Sequence, residues 1–246
     1  MKVALEVSRY NPENGENPYV ATYEVDVDPT DRVLDALMAV KRGQDRTLAF
    51  RKSCAHGVCG SDAMLINGEE RLACKTLVRE VTGEGRTITV EPLKCLPVQK
   101  DLMVDQTEFF DRYRSVQPFL INDEPPPEHE WIQPAGQRRV IDDATNCILC
   151  AACYSACPVL RGENPRFLGP AQVVQAFRFN EDSRDRGFEG RLDALDRPDG
   201  VWPCRNYVRC TKVCPRGILV TRYINMTKRR IKKHREDRGE PTGEGS

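Results

Sequence analysis

The sequence has no long apolar run, no excess of either charge and few aromatic residues. Its 246 residues carry 37 basic and 37 acidic side chains, and 7% of them are aromatic. Without about 18 consecutive apolar residues, we expect no transmembrane helix in this chain. The balanced charge argues against a partner that is a nucleic acid. An acid at Glu6 interrupts the first residues, so we also expect no export signal and a reducing compartment.

Cysteine, in contrast, is abundant. The chain has eleven, an odd number that leaves one over in any paired scheme. In a reducing compartment, many spaced thiols more often indicate bound metal than disulfides. Cys95 stands alone, and the other ten form three groups: Cys54, Cys59 and Cys74; Cys147, Cys150, Cys153 and Cys157; and Cys204, Cys210 and Cys214.

The two halves of the chain differ in their apolar pattern. Apolar residues alternate over 3–7 and 23–27, as on half-buried strands, and Asn67-Gly68 predicts a hairpin turn. A helix capped by Thr30 is expected to pack on this small mixed sheet. From about Gln106 the apolar spacing becomes helical. The sequence therefore predicts an α+β protein with a β-rich first domain and a helical second domain.

The first cysteine group has the spacing of a plant-type [2Fe–2S] loop. Four residues separate Cys54 from Cys59, and Cys74 is the distant cysteine of the C-x4-C-x2-C pattern. Asp62 stands where the pattern has its third cysteine. We therefore predict a [2Fe–2S] cluster held by Cys54, Cys59, Asp62 and Cys74.

Two alternatives remain open at this loop. Asp62 follows Gly-Ser and is also typical of a turn, in which case Cys95 becomes the rival ligand. We interpret His56, which lies between two cysteines rather than at a cysteine position, as a surface loop residue.

The middle group matches the bacterial ferredoxin run C-x2-C-x2-C-x3-C-P, from Cys147 to Pro158. In that run the first three cysteines hold one cluster and the fourth crosses to the other. Zinc ribbons are the structural alternative, but they need only four ligands, usually as two separated pairs.

The last group fits the same template with one change, because Tyr207 stands where the second cysteine is expected. The crossing rule assigns a [4Fe–4S] cluster to Cys147, Cys150, Cys153 and Cys214. It leaves three thiolates, Cys157, Cys204 and Cys210, which suggests a [3Fe–4S] cluster. A labile [4Fe–4S] centre with a solvent ligand is the alternative.

These motifs closely resemble the iron–sulfur subunits of succinate dehydrogenase and quinol:fumarate reductase. The resemblance covers about residues 2–233. It is carried by CAHGVCGSD at 54–62, LAC at 72–74, CILCAACYSACP at 147–158, FLGP at 167–170, RFNEDSRD at 178–185 and CRNYVRCTKVCP at 204–215.

The resemblance implies the architecture and the clusters. Residues 1–105 look like a β-grasp plant-type ferredoxin domain and residues 106–233 like an α-helical two-cluster ferredoxin domain. Beyond the resemblance, we expect 234–246 to form a disordered basic and polar tail. Asp62 matches a variant known in the family, and the family's third centre is [3Fe–4S].

The resemblance also implies a function. Electrons from succinate would leave the FAD of a flavoprotein partner singly, cross the three clusters and reach a quinone at a membrane-anchor subunit, with or without haem. No residue of this chain would be catalytic, and the chain would lie peripherally on the cytoplasmic face of the membrane. The alternatives are a fumarate reductase subunit working in reverse, the iron–sulfur subunit of another flavin dehydrogenase, and a free polyferredoxin.

The chain departs from the family near the quinone. Many members carry a tryptophan after the middle run and a histidine where this chain has Arg205; here both are missing. A different quinone such as menaquinone, or a site built mostly by the anchor, is therefore favoured. Pro158, Arg205 and Tyr207 are the candidates to line the site, although a backbone stop, a surface charge and cluster packing explain them equally well.

The basic stretch Thr227–Arg238 holds seven Lys or Arg residues against two acids. One hypothesis is attraction to anionic lipid or to the anchor. The other is a solvated helix end.

Overall fold

The alternating apolar residues of the first third form a five-stranded sheet. Its strands are β1 (Lys2–Arg9), β2 (Tyr19–Asp26), β3 (Ala63–Ile66), β4 (Glu69–Leu72) and β5 (Thr87–Glu91), in the order β2-β1-β5-β3-β4. Strands β1 and β5 run parallel and the other pairs antiparallel. The predicted mixed sheet is therefore confirmed, and a short ribbon of β6 (Val98–Lys100) and β7 (Met103–Val104) follows it.

The predicted helix is present as α1 (Val33–Gly43), and its apolar side, including Leu34 and Leu37, is buried. The prediction that Thr30 caps it was wrong. The helix begins after Arg32, whose N–H donates to the Asp35 carboxylate at 3.0 Å. Thr30 instead closes a turn, in which its N–H donates to the Asp28 carboxylate (N···O 2.8 Å). The helix begins three residues later, at Val33. A second, short helix is α2 (Val78–Val81).

The hairpin between β3 and β4 turns at the predicted dipeptide. Asn67 and Gly68 both have positive φ, 51° and 75°, as a type I′ turn requires. The Asn67 side chain also accepts the Thr89 N–H at 2.9 Å and donates to the Val81 carbonyl at 2.7 Å. This turn therefore fixes the register of three neighbouring segments.

The second half is helical, as predicted. Its helices are α3 (Thr107–Ser115), α4 (Ala135–Thr145), α6 (Pro170–Asn180), α7 (Phe188–Leu195), α8 (Arg209–Lys212) and α9 (Val220–Asp237), with a turn of π-helix at Val159–Glu163. The short α5 (Ala152–Ser155) precedes that turn. Almost every residue of α6 is buried, and α3, α4, α7 and α9 pack around it.

The structure describes residues 1–15, 17–83, 85–125 and 127–241. They divide into two compact units, the first formed by residues 1–106 with 148–156 and the second by 107–147 with the chain from 157 onward. Helix α9 continues through 234–237, the first residues of the predicted tail, and 242–246 lie outside the described residues. No helix in the described part of the chain has the length and apolarity to cross a membrane.

A buried ion pair ties the second unit together. The Arg191 guanidinium is fully buried and pairs with both carboxylate oxygens of Asp185, at 2.6 and 2.9 Å. Its remaining donors reach the carbonyls of Gln117 (3.1 Å) and Phe119 (2.8 Å) and the side chain of Asn180 (3.2 Å). The desolvation cost of this charge is therefore offset by hydrogen bonds on every side.

We predict that Arg191→Met lowers the free energy of unfolding by about 3–5 kcal/mol, because it leaves the Asp185 charge buried without its partner. Anaerobic urea unfolding of the cluster-loaded chain measures this difference. Arg138→Met is the matched control: its pair with Asp142 is exposed, so the loss should stay below about 1 kcal/mol. Equal losses in the two variants would contradict the prediction.

Candidate iron–sulfur centres

The loop from Cys54 to Asp62 turns its backbone toward the cysteine sulfurs. Ala55, Gly57 and Gly60 have φ of 57°, 79° and 69°, and the N–H groups of Val58 and Cys59 point at the Cys54 sulfur, at 3.4 and 3.3 Å. Hydrogen bonds from the backbone of His56, Cys59 and Val58 lower the pKa of the Cys54 thiol to about 6. The loop therefore favours the thiolate, the form that binds iron.

The Asp62 carboxylate lies within this group and is 2% exposed. Its Oδ2 accepts the Cys74 N–H at 2.5 Å, whereas Oδ1 is buried with no hydrogen-bond partner among the described residues. Burial, and then Asp62, raise the pKa of the Cys74 thiol to about 12. Burial and the Asp62 carboxylate thus disfavour the Cys74 thiolate unless a cation lies beside both groups. The residues present therefore fit a [2Fe–2S] cluster.

The two other side chains named at this loop are His56 and Cys95. His56 is exposed, and its Nδ1 lies 2.5 Å from the Cys54 carbonyl oxygen. Cys95 follows β5 in the chain and has a φ of 63°. The Asp62 carboxylate accepts the Cys74 N–H and so contacts one of the predicted cluster cysteines.

The three thiols of the third predicted centre meet at one cavity in the second unit. Cys157, Cys204 and Cys210 line it together with the quinone-site candidates Pro158, Arg205 and Tyr207. Burial, and after it the charges of the Cys210 and Cys204 sulfurs, raise the pKa of the Cys157 thiol to about 11. A cationic cluster beside such a thiol would favour its thiolate, so the three sulfurs fit a cluster.

The two cysteine runs turn in the same way. Leu149 and Ala151 flank Cys150 in the left-handed region, with φ of 53° and 62°. Asn206 and Val208 flank Tyr207 with φ of 60° and 63°. The second run therefore keeps the ferredoxin turn although its second cysteine is missing, and Tyr207 takes the backbone position that Cys150 has in the first run.

The Tyr207 hydroxyl donates to the Glu163 carboxylate, which also lies 4.0 Å from Arg205. This contact raises the pKa of Tyr207 above its usual value. The phenol is about half exposed. Tyr207 therefore belongs to a polar group at the surface of the three-thiol cavity.

The four cysteines assigned to the [4Fe–4S] cluster fall in both units. Cys150 and Cys153 lie in the first unit, Cys147 and Cys214 in the second. Across the described residues, no three His, Cys, Asp or Glu side chains converge as ligands of a single ion. The ligands of an iron–sulfur cluster bind different irons, so they need not converge on one point.

Two hydroxyl groups near the sulfurs were not predicted. Ser61 Oγ lies 3.1 Å from the Cys59 sulfur, and Thr221 Oγ1 lies 3.4 Å from the Cys210 sulfur. Hydrogen bonds to sulfur tune a cluster's potential. Ser61 could have been found from its place inside the loop motif. Thr221, eleven residues beyond Cys210, has no such signal.

Comparisons with known proteins agree with this geometry. Residues 4–111 match the model of the 2Fe-2S iron-sulfur cluster binding domain, and residues 143–218 match the 4Fe-4S dicluster domain. The succinate dehydrogenase iron-sulfur subunit of Paracoccus denitrificans is 42% identical over 86% of this chain and 81% of its own length.

Relatives of a second name and a solved structure match as well. The fumarate reductase iron-sulfur subunit of Mycobacterium tuberculosis is 41% identical, over 88% of this chain and 87% of its own. A chain of the Mycobacterium smegmatis Sdh1 complex in the apo form superposes with a TM-score of 0.81 at 28% identity, over 96% of this chain and 98% of that one.

The fold and the matched domains define an iron–sulfur protein with one ferredoxin-type [2Fe–2S] domain and one dicluster domain. The chain belongs to the family of iron–sulfur subunits of succinate dehydrogenase and fumarate reductase. This membership confirms the predicted fold class and favours a subunit of an oxidoreductase over a free polyferredoxin.

We predict that Asp62→Ala loses or strongly perturbs the [2Fe–2S] spectrum, because it removes a buried carboxylate whose Oδ1 has no hydrogen-bond partner in the described part of the chain. Cys95→Ala is the control and should leave the spectrum unchanged. Low-temperature EPR of the reduced chain distinguishes them. The opposite result would assign the ligand role to Cys95.

Proposed function

We propose that this chain conducts electrons one at a time between the FAD of a flavoprotein subunit and a quinone at a membrane-anchor subunit. Its path would be a [2Fe–2S], a [4Fe–4S] and a [3Fe–4S] cluster in series. The observation that carries the proposal is the combination, in a chain of this family, of a plant-type loop with two cysteine turns of the same backbone form.

The proposed ligands follow from the three groups. The [2Fe–2S] cluster would be held by Cys54, Cys59, Asp62 and Cys74, the [4Fe–4S] cluster by Cys147, Cys150, Cys153 and Cys214, and the [3Fe–4S] cluster by Cys157, Cys204 and Cys210. When bound, each cluster supplies a centre that gains or loses one electron.

The chain's own residues set the conditions for that exchange. The amides that surround Cys54 stabilise negative charge on its sulfur, and the Thr221 hydroxyl can do the same at Cys210. Cys157 and Cys210 are less than 10% exposed, which keeps water from the third centre. Such hydrogen bonds and burial are the means by which a protein tunes a cluster. We assign no catalytic residue for succinate to this chain.

The quinone would bind beside the three-thiol cavity. Pro158, Arg205 and Tyr207 all line that cavity, and Glu163 holds the Tyr207 hydroxyl. Because Arg205 replaces the family's histidine and the usual tryptophan is missing, menaquinone is the quinone we propose, with the anchor, haem-bearing or not, completing the site.

Succinate oxidation is the direction we propose, and fumarate reduction is the alternative. Relatives of both names match at nearly equal identity, 42% and 41%. The direction depends on the potentials of the clusters and the quinone rather than on the fold.

EPR and iron analysis of the anaerobic chain test this function. We predict a reduced [2Fe–2S] signal, an oxidised [3Fe–4S] signal and about nine irons per chain, from the cluster types assigned by spacing. Zinc in place of iron, or a second full [4Fe–4S] centre, would overturn the assignment.

Tyr207→Cys sharpens the same experiment. A thiol at Tyr207 occupies the backbone position of Cys150, so the variant should gain a fourth iron and lose the oxidised [3Fe–4S] signal. Tyr207→Phe is the matched control: it removes the hydroxyl without adding a thiol, and it should keep that signal. Conversion in the phenylalanine variant would show that the hydroxyl, not the missing thiol, determines the cluster type.

A basic groove supports the proposal that the side of the chain near the third centre faces the membrane. Its lining carries four cations and no acid: Asn206, Arg222, Asn225, Lys228, Arg229 and Lys232. Lys228 also donates to the Cys204 carbonyl at 2.9 Å, which connects the groove to the three-thiol cavity. We propose that this side of the chain faces the anionic cytoplasmic leaflet, where cations gain energy.

We predict that Arg222→Gln with Arg229→Gln weakens binding of the cluster-loaded chain to anionic vesicles by about 2 kcal/mol, or roughly thirtyfold. Flotation with phosphatidylglycerol-containing and pure phosphatidylcholine vesicles measures this, and the binding should decrease with salt. The control, Arg42→Gln with Arg139→Gln, removes the same charge from exposed positions outside the groove. Equal loss in both variants would refute a groove-specific contact.

A further inference from the structure

Gly60, in the [2Fe–2S] loop, lies directly against Cys150 of the middle cysteine run. A Cβ placed on Gly60 would lie 2.6 Å from the Cys150 Cβ, 3.0 Å from its Cα and 3.3 Å from Ile148 Cδ1. Real Cβ atoms almost never come closer than 3.0 Å to another heavy atom. The Cys150 atoms belong to the start of a side chain and the backbone, which no rotamer change can move away.

Gly57, three residues earlier, provides a contrast. It also has positive φ, 79° against 69° for Gly60. The three atoms nearest to a Cβ there are the Cδ, Cγ and Cε of Lys75, the flexible part of a long side chain. Both glycines therefore satisfy the same backbone demand, but of the two only Gly60 would bring a Cβ against the Cβ and Cα of another cysteine.

The segment that Gly60 meets is fastened to the first unit from its other end. Residues 148–156 belong to that unit, and Ser155 is completely buried. Its hydroxyl accepts the Lys94 N–H at 2.8 Å and donates to the buried Glu70 carboxylate at 3.0 Å. The position of Cys150 against the loop is thus held by Gly60 at one end and by Ser155 at the other.

We infer that Gly60 is a positioning residue for electron transfer between the first two centres. Without a side chain, the backbone after Cys59 touches Cys150, so one ligand of each proposed cluster lies on either side of a single non-bonded contact. One electron would cross it, oxidising the [2Fe–2S] centre and reducing the [4Fe–4S] centre, with no bond or proton moved. Electron tunnelling slows steeply as the separation of the two clusters grows. The close contact between Gly60 and Cys150 therefore sets the rate of electron transfer between them.

This inference rests on the proposed function, and its test uses Gly60→Ala in the assembled enzyme with Gly68→Ala as the matched control. Gly68 also has positive φ, 75°, but it lies in the hairpin turn outside the cluster loop, with nothing within 4 Å of a Cβ placed on it. Iron content and the EPR signal of each centre establish that the clusters are present. The distance between the two clusters is measured by relaxation enhancement, which is the faster spin relaxation that a reduced [4Fe–4S] centre causes in the reduced [2Fe–2S] signal. The rate is reported by freeze-quench EPR of the [2Fe–2S] centre as it is reoxidised.

We expect Gly60→Ala to keep both signals, to lose relaxation enhancement and to reoxidise its [2Fe–2S] centre more slowly. Gly68→Ala should behave as the unmodified chain. Unchanged relaxation and rate in Gly60→Ala would overturn the inference, and so would an equal change in Gly68→Ala, since backbone strain alone would then explain it.

If the Gly60→Ala chain fails to take up its cluster, the inference is tested with Ser155→Ala instead. This variant loosens the far end of the segment without touching a proposed ligand, and it should reduce the relaxation enhancement and the rate. No change in this variant would overturn the inference. Failure of the proposed function has a different signature, because the expected signals would be missing from the unmodified chain itself.

Discussion

Anionic sulfurs and a carboxylate crowd together in this chain, and the crowding is unfavourable without a cation and donors beside them. The backbone adopts left-handed φ values close to the proposed ligands. It does so at Ala55 and Gly57 in the loop and on both sides of Cys150 and of Tyr207. For a β-branched residue such as Val208, with φ of 63°, this costs of order 1–3 kcal/mol. Such turns persist only where the surrounding structure holds them. Here the surrounding scaffolds are the sheet of the first unit and the helices of the second unit.

Each scaffold holds its turns through a few specific bonds. In the first unit, Asn67 joins the hairpin turn to β5, and Ser155 holds the segment that carries Cys150. In the second, the Thr221 N–H donates to Thr211 Oγ1 at 3.0 Å, so the start of α9 is bonded to α8, the helix that carries Cys210. The buried Arg191–Asp185 pair joins α7 to the segment between α6 and α7 in the same unit. Folding and cluster geometry therefore depend on the same contacts.

The sequence predicts most of this because cluster ligands lie close together along the chain. The spacing alone indicated the [2Fe–2S] loop, the two cysteine runs and the unusual Asp62 and Tyr207, and the pattern of apolar residues indicated the sheet and helices. It failed where the relevant contact is remote in sequence. Thr221 near Cys210, Gly60 against Cys150, and the assignment of 148–156 to the first unit depend on tertiary packing that spacing does not encode. The misplaced Thr30 cap is a local error, since Arg32 lacks the side chain preferred at that position.

The proposed donor sets also bear on which way electrons would move. Every anionic ligand disfavours an additional electron, and the loop has four proposed ligands where the third cavity has three. Arg205 and Arg209 line that cavity, and Lys228 donates to the Cys204 carbonyl; these cations favour added negative charge. Burial of Cys157 and Cys210 opposes reduction, but the Thr221 hydroxyl and the cations offset it. With the proposed ligands, loss of one thiolate at Tyr207, with the turn retained, would make the third centre the more easily reduced end of the proposed path.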